Sequence, residues 1–125
     1  MENGGCGSIG YGIATAYAKE GANLVITGRN VQKLNDAKEE LERLYNVKVL
    51  PVQADISAGA DNEAIASQVA KAAMDAFGRI DVLINNAQAS ASGVPLANHT
   101  TEQFDLAVYS GLYASFYYMK ACYPY

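Results

Sequence analysis

Apolar positions along this chain alternate between short β-branched runs and longer segments with helical spacing, which predicts strands and helices in turn. Ile13 to Gly21 is alanine-rich, spaced as a helix and closed by a glycine. Ala22 to Gly28, with Leu24-Val25-Ile26-Thr27 at its centre, predicts a buried strand. Asn30 can cap a helix beginning at Val31, in which Leu34, Ala37, Leu41 and Leu44 share one face and the charged residues take the others. Val47 to Ala54 predicts a second strand, with Pro51 limiting its pairing on one side. Asp61 to Phe77 reads as a helix with Ile65, Val69, Ala72, Ala73 and Phe77 as its apolar stripe and Gly78 as its stop. Ile80-Asp81-Val82-Leu83-Ile84 predicts a third strand, breaking at Asn85-Asn86-Ala87-Gln88. After a small, polar loop from Ala89 to Asn98, Thr100-x-x-Gln103 has capping-box form and opens a long last helix reaching Cys122. That helix is apolar nearly all round and carries Tyr109, Tyr113, Tyr117 and Tyr118, so it should pack on two sides or against another chain. Strands separated by helices of this length build βαβ units, and hence an α/β fold with a parallel sheet.

Composition narrows the partners. At 125 residues the chain is one domain at most, and with half its residues hydrophobic and 18% charged it has a globular composition. A net charge of -4 and a pI near 4.8, with no Lys/Arg cluster, exclude a nonspecific nucleic-acid role. No apolar run approaches the roughly 20 residues of a membrane span, so no membrane partner is expected and the cytoplasm is the expected compartment. Cys6 and Cys122 lie far apart without metal-ligand spacing and read as free thiols, so no metal site is expected.

The candidate chemistry lies at the start. Asn3 to Gly12 is rich in glycine and opens a helix, an arrangement in which free N–H groups and the positive dipole end favour an anion. Gly5-x-Gly7-x-x-Gly10 satisfies the dinucleotide-binding fingerprint, although a flexible glycine-rich N-terminus would give the same letters.

That loop with Ile9-Gly10, Gly21-Ala22 ahead of Leu24, Ala54-Asp55-Ile56-Ser57, Phe77-Gly78-Arg79-Ile80-Asp81-Val82-Leu83-Ile84 and Asn85-Asn86-Ala87 together resemble the short-chain dehydrogenase/reductase family. The resemblance follows the family's order and intervals over essentially the whole chain. It implies a Rossmann-like, doubly wound parallel sheet and an NAD(P)-dependent oxidoreductase that moves hydride between NADP(H) and a small alcohol or carbonyl substrate. Gly4, Gly7, Ser8, Ile9 and Gly10 would hold the cofactor's pyrophosphate. Asp55 would lie beside the adenine ring with Ile56 packed against it, and Asn86 and Ala87 would form the floor of the site. Asn85 and Asn86 can equally be strand-end turn residues. Thr27-Gly28-Arg29-Asn30 holds no carboxylate for a ribose hydroxyl, so the resemblance points to NADP, with Arg29 clamping the phosphate and NAD as second choice. A solvated arginine at a helix start is the other reading of Arg29.

Several positions depart from the family pattern. Ser8 stands where the shorter members have glycine, and Gly4-x-x-Gly7-x-x-Gly10 is similar to the longer, sugar-nucleotide-modifying members. Gln88 replaces a glycine, which should narrow the nicotinamide side or move the loop. The family's catalytic Tyr-x-x-x-Lys is absent, since none of the nine lysines and arginines has a tyrosine four positions before it. Ser110 occupies the family's catalytic asparagine position, and a serine is not expected to reproduce an amide's paired donor and acceptor. No catalytic residue is therefore assigned in this chain. The family's first strand, central between those at Leu24 and Val82, is also missing ahead of the glycine loop. The expectation is a partial NAD(P)-binding Rossmann domain over 1–125, lacking its first strand and C-terminal half, inactive in isolation and marginal as a monomer. The last helix resembles the one that joins many family members into dimers and tetramers, which implies a homo-oligomer. A non-catalytic nucleotide-binding or oligomerisation fragment is the alternative.

Overall fold

The structure is a computed structural model that describes residues 8–125. Helix α1 (Ile9–Lys19) begins four residues ahead of the predicted boundary, inside the glycine-rich stretch. Ser8 causes this: its hydroxyl accepts a hydrogen bond from the Tyr11 N–H at 3.1 Å and caps the first turn. Gly10, Ala14 and Ala18, spaced four apart, are the buried residues of α1, and such small side chains let the helix lie close on the sheet.

Strands β1 (Leu24–Gly28) and β2 (Val49–Gln53) pair in parallel, with Leu24 opposite Val49 and Gly28 opposite Gln53. Both are shorter than the runs that predict them. Helix α2 (Val31–Tyr45) is the crossover between them, capped by the Asn30 side chain, which accepts from the Lys33 N–H at 3.0 Å, and ended by Asn46 in the left-handed region. Leu34, Ala37 and Leu41 are buried in one core with Ala14, Ala18, Ile26 and Val49, as their spacing predicts. Leu44 is exposed instead, and Tyr45 packs in its place. At 100° per residue Tyr45 returns to within about 20° of Leu34 around the helix, whereas Leu44 lies about 80° away.

The outer edge of β2 is closed. The Leu24 N–H donates to the Lys48 carbonyl and the Ala54 N–H to the Gly28 carbonyl, each at 2.9 Å, so alternation turns Val49 and Pro51 away from β1. On that side the Glu42 carboxylate accepts from the Val49 N–H at 3.0 Å and the Lys38 ammonium donates to the Val49 carbonyl at 2.8 Å. Pro51 has no N–H to offer, in keeping with the one-sided pairing its position predicts.

Helix α3 (Asn62–Phe77) buries Ala66, Val69, Ala70 and Ala73 and stops at Gly78, whose φ of 75° favours glycine. Among the described residues, Ile80–Ile84, read from sequence as a strand, joins no ladder. Among the described residues no backbone hydrogen bond reaches Val82, Leu83 or Ile84, because a cavity and not a strand separates them from β1. Leu83 is half-buried in a second core with Ala54, Ala66, Val69 and Tyr118, while Val82 stays 54% exposed.

The last helical stretch is not uniform. Helix α4 (Thr101–Ala107) has the predicted capping box of Thr100 and Gln103, then Val108–Tyr113 widens into a π-helical turn before helix α5 (Ala114–Cys122). Ser110, Ala114 and Tyr118 are buried and α5 packs on α3, with Lys120 bridging to Glu63 at 2.6 Å. The opposite side is open: Leu112, Phe116 and Met119 are 70%, 53% and 54% exposed. Tyr109 stacks on Tyr113 at 5.0 Å between ring centres, and Tyr113 meets Tyr117 at 5.9 Å. No helix among the described residues is long and apolar enough to cross a membrane.

Candidate functional site

The parallel register of β1 and β2 brings Arg29 and Asp55 to the same end of the sheet, just past the carboxyl ends of the two strands. Gln53 donates from its side-chain amide to the Arg29 carbonyl at 3.1 Å and fixes the exit of β1. Asp55 folds back on its own turn, its carboxylate accepting from the Ser57 hydroxyl at 2.6 Å and the Ser57 N–H at 2.9 Å. The Ser57 hydroxyl bond holds the Asp55 carboxyl below the usual carboxylate range, helped by the Ser57 N–H and the Arg29 charge and opposed by partial burial. Asp55 is therefore an anion at neutral pH, with an exposed guanidinium nearby.

Ile56 is placed by a residue that the sequence reading does not single out. Asn62, fully buried at the start of α3, donates to the Ile56 carbonyl at 2.5 Å. The signal was there: Asn62, Ala66, Val69 and Ala73 fall on one helix face, and a single polar residue on an apolar face needs a partner.

Of the predicted phosphate loop, Gly4 and Gly7 lie outside the described residues. Ser8, Ile9 and Gly10 form the start of α1. The Ser8 hydroxyl is engaged by the Tyr11 N–H and its carbonyl by the Gly12 N–H at 3.1 Å, which leaves the N–H groups of Ile9 and Gly10 without an intrahelical acceptor. An anion at this helix end would meet those two donors and the helix dipole, with the hydroxyl already committed.

Ile56, Asn86, Ala87 and Ser110 line a single cavity of about 340 Å³, together with Val25 and Tyr118. Ser8, Ile9, Gly10, Arg29 and Asp55 are not on its wall, so the structure does not bring all the predicted residues to one cavity. Ser110 has a structural task. Its hydroxyl accepts from the Ala89 N–H at 2.9 Å and donates to the Ala89 carbonyl at 2.8 Å, so one rotatable O–H engages both polar groups of that main chain. Gln88 lies against the π-helical turn, its side-chain amide close enough to Gly111 that a methyl group there would meet it at 3.4 Å, in ordinary van der Waals contact.

These groups offer main-chain donors at a positive helix end, an arginine, an ionised carboxylate with an aliphatic neighbour, and an asparagine-alanine turn latched to a buried serine. Such a set can take a phosphate-bearing ligand with a polar ring at one end.

Residues 3–125 match the family described as short chain dehydrogenase. A 12alpha-hydroxysteroid dehydrogenase of Clostridium sp. is 65% identical over 118 residues, covering 94% of this chain and 46% of the relative. The L-sorbose reductase of Gluconobacter frateurii, solved with NADPH and L-sorbose, superposes with a TM-score of 0.86 at 25% identity, over 98% of this chain and 44% of that one. An alcohol dehydrogenase of Thermococcus sibiricus, solved with 5-hydroxy-NADP, gives 0.84 at 26% identity over 93% of this chain and 47% of that one. The chain thus spans about half the length of the curated relatives it matches. By its residues and by its α/β, Rossmann-like fold, the chain belongs to the short-chain dehydrogenase/reductase family.

Proposed function

We propose that residues 1–125 are a partial dinucleotide-binding domain that takes NADP(H) in preference to NAD(H), within an oxidoreductase that interconverts an alcohol and a carbonyl. The observation that carries this reading is the placement of Arg29 at the carboxyl end of β1, with no carboxylate on that strand end and with Asp55 held apart on its own turn by Ser57. An arginine here suits a ribose phosphate, and a carboxylate would repel it. The N–H groups of Ile9 and Gly10, with Gly4, Gly7 and Ser8, would receive the pyrophosphate. Asp55 would accept from the adenine amine and Ile56 would cover the ring. Asn86 and Ala87 would floor the far end. The bound cofactor supplies the hydride; the chain's residues bind it, orient it and keep one face covered.

The name of the Clostridium relative supports a hydroxysteroid as the substrate class, because 65% identity over nearly the whole chain is high for unrelated specificities. With no Tyr-x-x-x-Lys in its sequence, the 125-residue chain alone should bind the cofactor without turning it over. The open face of Leu112, Phe116 and Met119 supports a homo-oligomer formed through the last helix. Titrating the chain with NADPH and with NADH, followed by nicotinamide fluorescence, tests the cofactor reading. NADPH should bind at least about tenfold more tightly, equivalent to roughly 1.4 kcal/mol; equal or tighter binding of NADH overturns it.

A further inference from the structure

We infer that Gln53 is a positioning residue for Arg29: its side-chain amide holds the arginine main chain so that the guanidinium is set for a ribose phosphate. The inference rests on the cofactor reading above and deepens it, assigning to a residue of β2 a share in how strongly the phosphorylated dinucleotide is preferred.

Three consecutive carbonyls are held where β1 gives way to α2. Gly28, the last ladder residue of β1, accepts from the Ala54 N–H at 2.9 Å, and Asn30, the cap of α2, accepts from the Leu34 N–H at 3.1 Å. Arg29 belongs to neither element, and its carbonyl accepts from the Gln53 side-chain amide at 3.1 Å. The first two bonds come from main-chain donors and do not depend on which side chains stand there. The third depends on the residue at position 53, so it is the adjustable link of the three.

Arg29 and Gln53 are both exposed, so water can replace this bond and the fold does not depend on it. Its effect is on binding. An arginine side chain has several rotatable bonds, and any freedom removed before a phosphate arrives is not lost when it binds. A competing anion lies nearby: the Asp55 carboxyl is held below its usual range first by the Ser57 hydroxyl and also by the Arg29 charge. With its main chain fixed, and with Asp55 already bonded to Ser57, the guanidinium is kept for an incoming phosphate. A ligand with a free ribose hydroxyl makes no such use of the arginine, so the pin acts on one dinucleotide and not on the other.

The test uses the whole 125-residue chain with Gln53→Met, which keeps the length of the side chain and removes the donor, alone and combined with Arg29→Ala. The Arg29 carbonyl and the Asn30 N–H share one peptide plane, so nitrogen-15 relaxation at Asn30 reads the pin directly, without any nucleotide. Its order should fall in Gln53→Met. Isothermal titration should show NADPH about threefold or more weaker in that variant, in keeping with the loss of one neutral hydrogen bond, and NADH unchanged. In the Arg29→Ala background the same substitution should leave NADPH unchanged, since Gln53 acts through the arginine. An unchanged Asn30 amide overturns the inference, as does a parallel loss of NADH or an equal loss of NADPH without Arg29. A wild-type chain with no NADPH preference removes the cofactor reading and this inference with it, whereas a preference that Gln53→Met leaves intact removes this inference alone.

Discussion

The Ser110 hydroxyl holds both polar groups of the Ala89 main chain, accepting at 2.9 Å and donating at 2.8 Å across 21 positions of sequence. This one side chain ties the π-helical turn to the segment that follows Asn86-Ala87-Gln88. Ser110 is only 1% exposed. Ser110→Ala should cost about 1–3 kcal/mol in urea unfolding, because it strands a donor and an acceptor at once. Ser110→Thr should recover much of that loss, since the hydroxyl is kept. An alanine variant as stable as the wild type would show that the latch contributes nothing.

Arg29 lies exposed at the end of β1, so its replacement should leave the fold intact. Arg29→Ala should weaken NADPH by about tenfold or more and leave NADH within about twofold, as expected for the loss of one charge-assisted phosphate contact. Isothermal titration of both nucleotides against both proteins measures this. A parallel loss for NADH would place Arg29 elsewhere on the ligand.

The same substitution should have opposite signs at two glycines. Gly21 has a φ of 84°, a conformation that a side chain strains, and Gly21→Ala should destabilise by about 1 kcal/mol or more. Gly111 has no such φ, and its new methyl would meet only the movable end of Gln88 at 3.4 Å. Gly111→Ala should therefore be neutral or stabilising by up to about 1 kcal/mol, through helix propensity. Thermal unfolding of the two variants decides both.

Asp55 carries the pH dependence. Its pKa is lowered in the folded chain, so its contribution to stability is fully present above the ordinary aspartate range and is lost as the pH falls through the folded value. Carbon-13 NMR of the carboxyl should show Asp55 titrating below the exposed aspartates. In Ser57→Ala it should move back toward them, because the hydroxyl bond is the largest cause of the shift. An unmoved titration in that variant would assign the shift to the Ser57 N–H and the Arg29 charge instead.

Much of the fold was legible because periodicity and caps are local. Asn30, Thr100 with Gln103, and Gly78 fix helix ends within a few residues of sequence, and the Leu34–Ala37–Leu41 face follows from helical geometry alone. Ile80–Ile84 was not, because a strand needs a neighbour to hydrogen-bond with and its own letters cannot supply one. The early start of α1 was hidden by glycines that normally discourage a helix, until Ser8 is seen to cap it. At the candidate site, Arg29, Asp55 and Ile56 were singled out by the family resemblance, through short motifs that sit at strand ends and are also local. The Asn62–Ile56 and Ser110–Ala89 bonds were not found, since each joins elements whose packing no spacing rule gives.

The treatment of β2 by Lys38, Glu42 and Pro51 closes the outer margin of the sheet. A two-stranded sheet with both margins free would be a seed to which copies could add indefinitely, each offering the next a fresh margin. Here the outer margin of β2 is already spoken for by an ion pair and an imide ring, so copies cannot add along it.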